Sequence, residues 1–259
     1  MSSQTVRVDR HDGWAIVSIA REDKRNAMDR QTRDALQAAF SQLRGTVRAI
    51  VLTGSGKSFC AGLDLKEREK DKASGTDTAS QEWIDVNLSI RDHPAIFIAA
   101  VNGLALGGGA TLISVCDLAV VSTEASIGCP ELGFATYPAM AGPGLQLSLT
   151  RKRAAWLVLT TNRLSGAKAA EWGLVNEVVP HDQLLARASE IARQVAQFDA
   201  DALAESKRAL DAIPARHNEW AAAFEYGQKT NATIRSRTNA AAAGLANFAT
   251  GKKNPGQGF

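Results

Sequence analysis

The chain is poor in cysteine, tyrosine and methionine: three, two and three among 259 residues. Three cysteines, Cys60, Cys116 and Cys129, cannot all pair with one another, and their spacing matches no metal site. They read as small buried hydrophobes in a reducing compartment. The four histidines, His11, His93, His181 and His217, are scattered without ligand spacing, so no metal is expected. Charge of one sign is also lacking. Thirty Lys and Arg against 27 Asp and Glu leave a formal +3, short of the basic patches that mark nucleic-acid binding. Arg151-Lys152-Arg153 and Lys252-Lys253 read as solvated surface. No long apolar run and no N-terminal apolar segment are present, so neither a membrane helix nor a signal peptide is expected, and cytoplasm is the expected location.

Several motifs are absent on inspection. Thr53-Gly54-Ser55-Gly56-Lys57-Ser58 resembles a phosphate loop, but the required first glycine falls at Val51. Gly107 to Gly109 lacks dinucleotide-binding spacing. No Gly-x-Ser-x-Gly nucleophile elbow occurs. Asn87-Leu88-Ser89 and Asn231-Ala232-Thr233 match the glycosylation sequon, but nothing indicates secretion.

An apolar content of 45% supports a real core, and the length suits one large domain or a domain with a helical appendage. Val6-Arg7-Val8 and Trp14 to Ile19 flank Asp12-Gly13, which reads as a hairpin. Ala35, Leu36, Ala39, Phe40 and Leu43 recur at helical spacing within 29–43. Strands are predicted at 49–53, 96–101 and 118–122, and helices at 82–90 and 108–115. The polar stretch 67–79 reads as a mobile loop. After Asp182 the chain is rich in alanine, with helices predicted over 184–198, 202–213 and 219–249, punctuated by Pro180 and Pro214. Strands alternating with helices argue for parallel βαβ units.

The most informative feature is a pair of glycine-bearing corners about forty residues apart: Phe59-Cys60-Ala61-Gly62-Leu63-Asp64-Leu65-Lys66, and Val101-Asn102-Gly103-Leu104-Ala105-Leu106-Gly107-Gly108-Gly109. Each follows an apolar strand and precedes a helical pattern. Two such corners side by side would aim two backbone N–H groups at one point, which suits an oxyanion. A helix opening at Gly108 would add its positive end.

With Lys24-Arg25-Asn26-Ala27-Met28, Cys116-Asp117-Leu118-Ala119, Pro130-Glu131-Leu132-Gly133 and Ala167 to Asn176, in this order and spacing, the chain resembles the crotonase superfamily, the enoyl-CoA hydratase/isomerase family. The resemblance implies an α/β fold: a spiral of repeated ββα units over 1–180, then a helical region over 181–259 that makes a homotrimer or a dimer of trimers and closes the acyl site. It implies an acyl-CoA substrate, with no cofactor beyond the coenzyme A that the substrate carries, no membrane, and no nucleic acid. A mildly basic mouth would suit that anionic ligand.

By the same resemblance, the thioester carbonyl would sit between the N–H groups of Leu63 and Gly108, and Glu131 would be the general acid or base. Arg25, Ala27, Ala61, Asp64, Leu65 and Lys66 would lie along coenzyme A, with Lys66 near the pyrophosphate, and Tyr137 could line a bulky acyl pocket. Family hydratases usually carry another, first glutamate where this chain has Thr111. Threonine is no general base near neutral pH, though it can hold a water. Hence isomerisation of a 3-enoyl-CoA to a 2-enoyl-CoA and hydration of a 2-enoyl-CoA both stay open. A hydroxycinnamoyl-CoA-type hydratase-lyase, a thioesterase or decarboxylase, and a non-catalytic acyl-CoA-binding or RNA-binding protein are the alternatives.

Overall fold

The computed structural model describes residues 4–252, 254 and 256–258. Lys253 of the Lys252-Lys253 pair lies outside the described residues. Asp12-Gly13 joins β1 (Val6–His11) to β2 (Trp14–Ile19) in an antiparallel hairpin, with Val6 opposite Ile19 and His11 opposite Trp14. The last two rings stack at 4.0 Å. The chain then enters α1 (Arg30–Leu43), whose first turn is capped by the Asp29 carboxylate accepting the Thr32 N–H.

From here the chain repeats one move. A long strand enters one sheet, a short strand enters a second, and a helix returns. The first round is β3 (Ala49–Gly54), β4 (Ser58–Cys60), α2 (Leu65–Ala73) and α3 (Ala79–Arg91). The second is β5 (Ile96–Val101), β6 (Leu104–Leu106) and α4 (Gly108–Val115). The third is β7 (Leu118–Ser122), β8 (Ser126–Gly128), α5 (Ala141–Ser148) and α6 (Arg151–Thr160). A last round supplies β9 (Leu164–Ser165), α7 (Gly166–Trp172) and β10 (Glu177–Val179). The result is a spiral with a six-stranded sheet in the order β1-β2-β3-β5-β7-β10 and a four-stranded sheet in the order β4-β6-β8-β9. All neighbours from β2 to β10 in the larger sheet run parallel.

Both faces of the larger sheet are covered, which is why β3 and β5 read as continuous apolar runs. Ile50, Leu52, Phe97, Ala99 and Val101 point into the main core with Leu36 and Phe40 of α1. The alternate residues, Ala49, Val51, Ile98 and Ala100, face α8 (Leu184–Val195) through Leu184, Ala188 and Ala192. The first helix of the C-terminal stretch is therefore part of the sheet's own packing.

Three expectations change. The stretch 67–79 is not a loop: α2 occupies most of it. Asp64 caps α2 by accepting the N–H groups of Lys66 and Glu67, and ion pairs from Arg30 to Asp71, from Arg33 to Glu67 and from Arg68 to Asp77 hold the segment down. A polar helix of this kind has no apolar period to read. The predicted helix 219–249 is two, α10 (Trp220–Arg237) and α11 (Ala240–Ala249), broken at Thr238, whose backbone is extended. Pro214 does not end the preceding helix but sits in the last turn of α9 (Ala200–Arg216). The three cysteines are buried and unpaired as expected, and burial pushes the Cys60 thiol up to about 12.

Candidate active site

The corner after β4 is fixed by a short bridge to the segment before α1. Met28 donates its N–H to the Gly62 carbonyl at 2.8 Å, and Asp64 donates to the Met28 carbonyl at 3.0 Å. Successive N–H groups of an extended backbone point to opposite sides. The Leu63 N–H between them therefore faces away from Met28, and it meets no acceptor among the described residues. The turn itself needs Gly62, whose φ of +93° is open to a residue without a β-carbon.

The corner after β6 delivers the second donor. Gly108 opens α4, so its N–H has no acceptor one turn back. The two corners touch: a β-carbon on Gly62 would lie 3.3 Å from the Gly108 nitrogen. Two unpaired N–H donors on adjacent backbones, one of them at a helix N-terminus, are an arrangement of the kind that can stabilise an anion.

Glu131 reaches the same point from the turn after β8. Its backbone carbonyl is held by the Thr136 N–H and hydroxyl at 3.2 and 3.1 Å. A β-carbon on Gly107 would lie 3.3 Å from the Glu131 carboxyl carbon. Oε2 of this carboxyl is buried and has no hydrogen-bond partner among the described residues. Burial holds the carboxyl above its ordinary range. A carboxyl so placed holds its proton more tightly than an ordinary glutamate and, once ionised, is a stronger base.

These groups line a cavity of about 510 Å³. Ala61, Leu63, Leu65, Gly108, Glu131 and Tyr137 of the predicted residues border it. Tyr137 is half exposed and its hydroxyl accepts from Gln146 Nε2 at 2.7 Å. Asp64 and Lys66 border a neighbouring polar recess of about 380 Å³ with Arg21, Lys24 and Lys70. Burial pushes the Asp64 carboxyl up, but the Glu67 N–H and the Arg21 guanidinium, 3.1 Å away, outweigh it, and the net direction is down.

Arg25, Ala27 and Thr111 border neither space. Arg25 is exposed at the end of a single turn, and its carbonyl accepts the Ala61 N–H. The Ala27 carbonyl accepts from Arg21. Thr111 is buried one turn into α4, with its hydroxyl turned back to the Gly107 carbonyl at 3.3 Å.

The reading of 67–79 as a loop missed Arg68, Glu69 and Lys72, which border the cavity from α2 with Ser80 from the start of α3. The signal was present: Asp64 followed three residues later by Glu67 is a helix-start pattern. No cluster of His, Cys, Asp or Glu able to hold a metal occurs among the described residues.

Comparison with known proteins agrees with this architecture. The enoyl-CoA hydratase/isomerase profile matches residues 9–255. The chain belongs to the enoyl-CoA hydratase/isomerase family. Its relatives include a mevalonyl-coenzyme A hydratase of Aspergillus fumigatus, 33% identical over 237 residues, which cover 85% of this chain and 87% of the other. A hydroxycinnamoyl-CoA hydratase-lyase of Pseudomonas fluorescens is 34% identical over 203 residues, 74% of this chain and 72% of the other. The crystal structure of an enoyl-CoA hydratase from Bacillus anthracis superposes with a TM-score of 0.90 at 29% identity, covering 99% of this chain and 100% of that one. The spiral of ββα units with helices at its C-terminal end is thus the crotonase fold of the family. No helix of the described residues is long and apolar enough to cross a membrane.

Proposed function

We propose that the chain moves the double bond of an enoyl-CoA, converting a 3-enoyl to a 2-enoyl thioester with Glu131 as the single acid and base. The thioester oxygen accepts from the N–H groups of Leu63 and Gly108. Glu131 takes a proton from C2, the enolate charge rests on that oxygen, and the same carboxyl returns the proton to C4. No cofactor takes part. Ala61 and Leu65 at the cavity and Asp64 and Lys66 at the neighbouring recess follow the coenzyme A chain, with Lys66 offering a point cation to a phosphate, while Arg25 and Ala27 border neither space.

One observation carries the reading: the half-buried Glu131 carboxyl, its Oε2 buried and without a partner among the described residues, beside Gly107 and the free Gly108 N–H. Among the described residues the only other carboxylate bordering the cavity is Glu69, which is exposed on α2. Thr111, at the position of the first glutamate of family hydratases, has its hydroxyl engaged with Gly107. A one-base proton shuttle asks for no more than this. Hydration, with or without cleavage of the adduct, is the second reading. The hydratase and hydratase-lyase relatives favour it, as do Phe134 and Tyr137 at the cavity for a bulky acyl group.

The deciding experiment is proton NMR in D2O with a 3-enoyl-CoA and a 2-enoyl-CoA supplied separately. Double-bond migration in the first and no 3-hydroxyacyl-CoA from the second is the expected result. Rapid formation of the 3-hydroxyacyl-CoA would replace isomerisation by hydration.

Assembly belongs to the same proposal. Trp220, Phe224, Leu245 and Phe248 on α10 and α11 are 66–78% exposed, a density of bare apolar side chains that suits a partner surface. The 181–259 region then serves trimerisation, in a cytoplasmic homotrimer or dimer of trimers. Sedimentation should give a trimer or hexamer; a monomer at micromolar concentration would refute it.

A further inference from the structure

Trp83 is the bulkiest side chain that the fold buries completely. Its indole N–H finds no acceptor among the described residues. Buried donors without partners are rare, because the lost hydration is not returned.

The place of the indole gives the orphan a meaning. Trp83 stands on α3, where its carbonyl accepts from Asn87 at 2.6 Å, and its ring forms part of the cavity wall. A β-carbon on Gly108 would lie 3.2 Å from the indole Nε1 and 3.3 Å from the adjoining ring carbon. The nitrogen edge therefore lies against the residue that carries one of the two free backbone donors. Of the four unpaired buried side-chain atoms among the described residues, Trp83 Nε1 and Glu131 Oε2 belong to residues bordering this cavity. An acyl chain of carbon and hydrogen alone would leave the indole donor unpaired in the complex. An oxygen a few bonds from the thioester carbonyl would satisfy it.

We propose that Trp83 Nε1–H is a specificity-determining donor that selects acyl thioesters bearing an acceptor oxygen close to the thioester carbonyl. The inference rests on the acyl-thioester reading of the cavity and adds the class of acyl group to it. Discrimination of this kind comes from a buried polar group that only one of two ligands can pair.

The test measures binding of butyryl-CoA, 3-hydroxybutyryl-CoA and 4-hydroxybutyryl-CoA to the wild type and to Trp83→Phe by calorimetry. The wild type should bind at least one hydroxy ester about tenfold more tightly than butyryl-CoA, the scale of one hydrogen bond. Trp83→Phe should bind all three alike. A preference that survives in Trp83→Phe overturns the proposal.

A second readout does not depend on that variant folding. With the five tryptophans labelled by nitrogen-15, the Trp83 indole resonance should move downfield with the favoured hydroxy ester and not with butyryl-CoA. It can be assigned by substituting the other four one at a time. An unmoved resonance, or the same shift with butyryl-CoA, overturns the role. Equal binding of all three esters by the wild type removes Trp83's role alone. Failure of all three to bind removes the acyl-thioester reading and this inference with it.

Discussion

Gly107 leaves open the space that the Glu131 carboxyl group fills. A β-carbon there would lie 3.3 Å from the carboxyl carbon and overlap Oε1, and the φ of Gly107 is +52°. One missing methyl thus sets the distance between the acid or base and the oxyanion donors. Gly107→Ala should displace Glu131 rather than empty the site. We expect kcat to fall about 10²-fold, the effect of moving a reacting group by about an ångström, with coenzyme A affinity kept within a few-fold. Unchanged kcat would mean that Glu131 does not work from this position.

Glu131 should also reveal itself in pH dependence. Its carboxyl is held above the ordinary range chiefly by burial. As a base it must be ionised, so kcat/KM should rise with pH through an ionisation above that of an exposed glutamate. The stability effect has a definite sign. A carboxyl whose pKa is raised on folding favours the folded state at low pH and loses that contribution as pH rises through the folded value. Glu131→Gln should therefore gain stability over the wild type near neutral pH, and the gain should shrink on acidification. Thermal melts from pH 4 to 8 check this. Turnover should drop by about 10³-fold, within the range of general acid–base contributions. Undiminished turnover would end its proposed role.

The wall formed by α2 and α3 is tied to α1 by Arg30 and, from the interior, by Arg33. Arg33 is 1% exposed, pairs with Glu82 at 2.7 Å and Glu67 at 3.2 Å, and donates to the Met28 carbonyl at 2.8 Å. It links the bridge beside Leu63 to both helices that bear the cavity's outer residues. Removing Arg33 takes a charge from both glutamates, although Glu82 keeps Arg30 and Glu67 keeps the Arg30 N–H. Both glutamates keep a quarter of their side chains in water, so Arg33→Ala should cost about 3 kcal/mol, the low end for such pairs. Denaturant titration measures that loss. KM should rise more than kcat falls, because the wall loosens while Glu131 stays in place. A lowered kcat at constant KM would contradict this.

The apolar strands and the two corners were readable in the sequence because their causes are local, whereas the ββα spiral came only from the family resemblance. β3 and β5 are apolar on both faces, and each corner pairs a strand with glycine. Asp117, in the motif after the triple glycine, accepts the Phe97 N–H at 2.8 Å and pairs with Arg91 and Lys207. What stayed hidden depends on partners distant in the chain. The polar helix α2 is held by arginines of α1 rather than by an apolar stripe. Arg25 and Asn26 share one motif, yet the buried Asn26 side chain bonds Arg21, Ser55 and Ser58 and knits the loop together, while Arg25 faces outward. The orphan N–H of Trp83 cannot be read from residue type at all, because burial and the missing acceptor both arise from tertiary packing.

His93 supplies the last prediction, and it concerns acid rather than catalysis. The ring is 2% exposed. Its Nδ1 accepts the Ala95 N–H at 3.1 Å, so the proton resides on Nε2, which faces the Phe40 carbonyl at 3.1 Å. Protonation would set a second N–H against the Ala95 donor, in a buried place near the cations Arg44 and Lys207. Burial first, and those cations with it, hold the pKa down to about 4. An unfolded histidine titrates near 6.5, so between about 6.5 and 4 the unfolded chain binds the extra proton. Stability must then fall as pH drops through that window and level off below it. His93→Gln, which keeps a polar group without this titration, should lower stability at pH 8 through poorer packing yet flatten the loss between pH 6.5 and 4. Equal slopes for the two proteins in that window would show that His93 is not the group responsible.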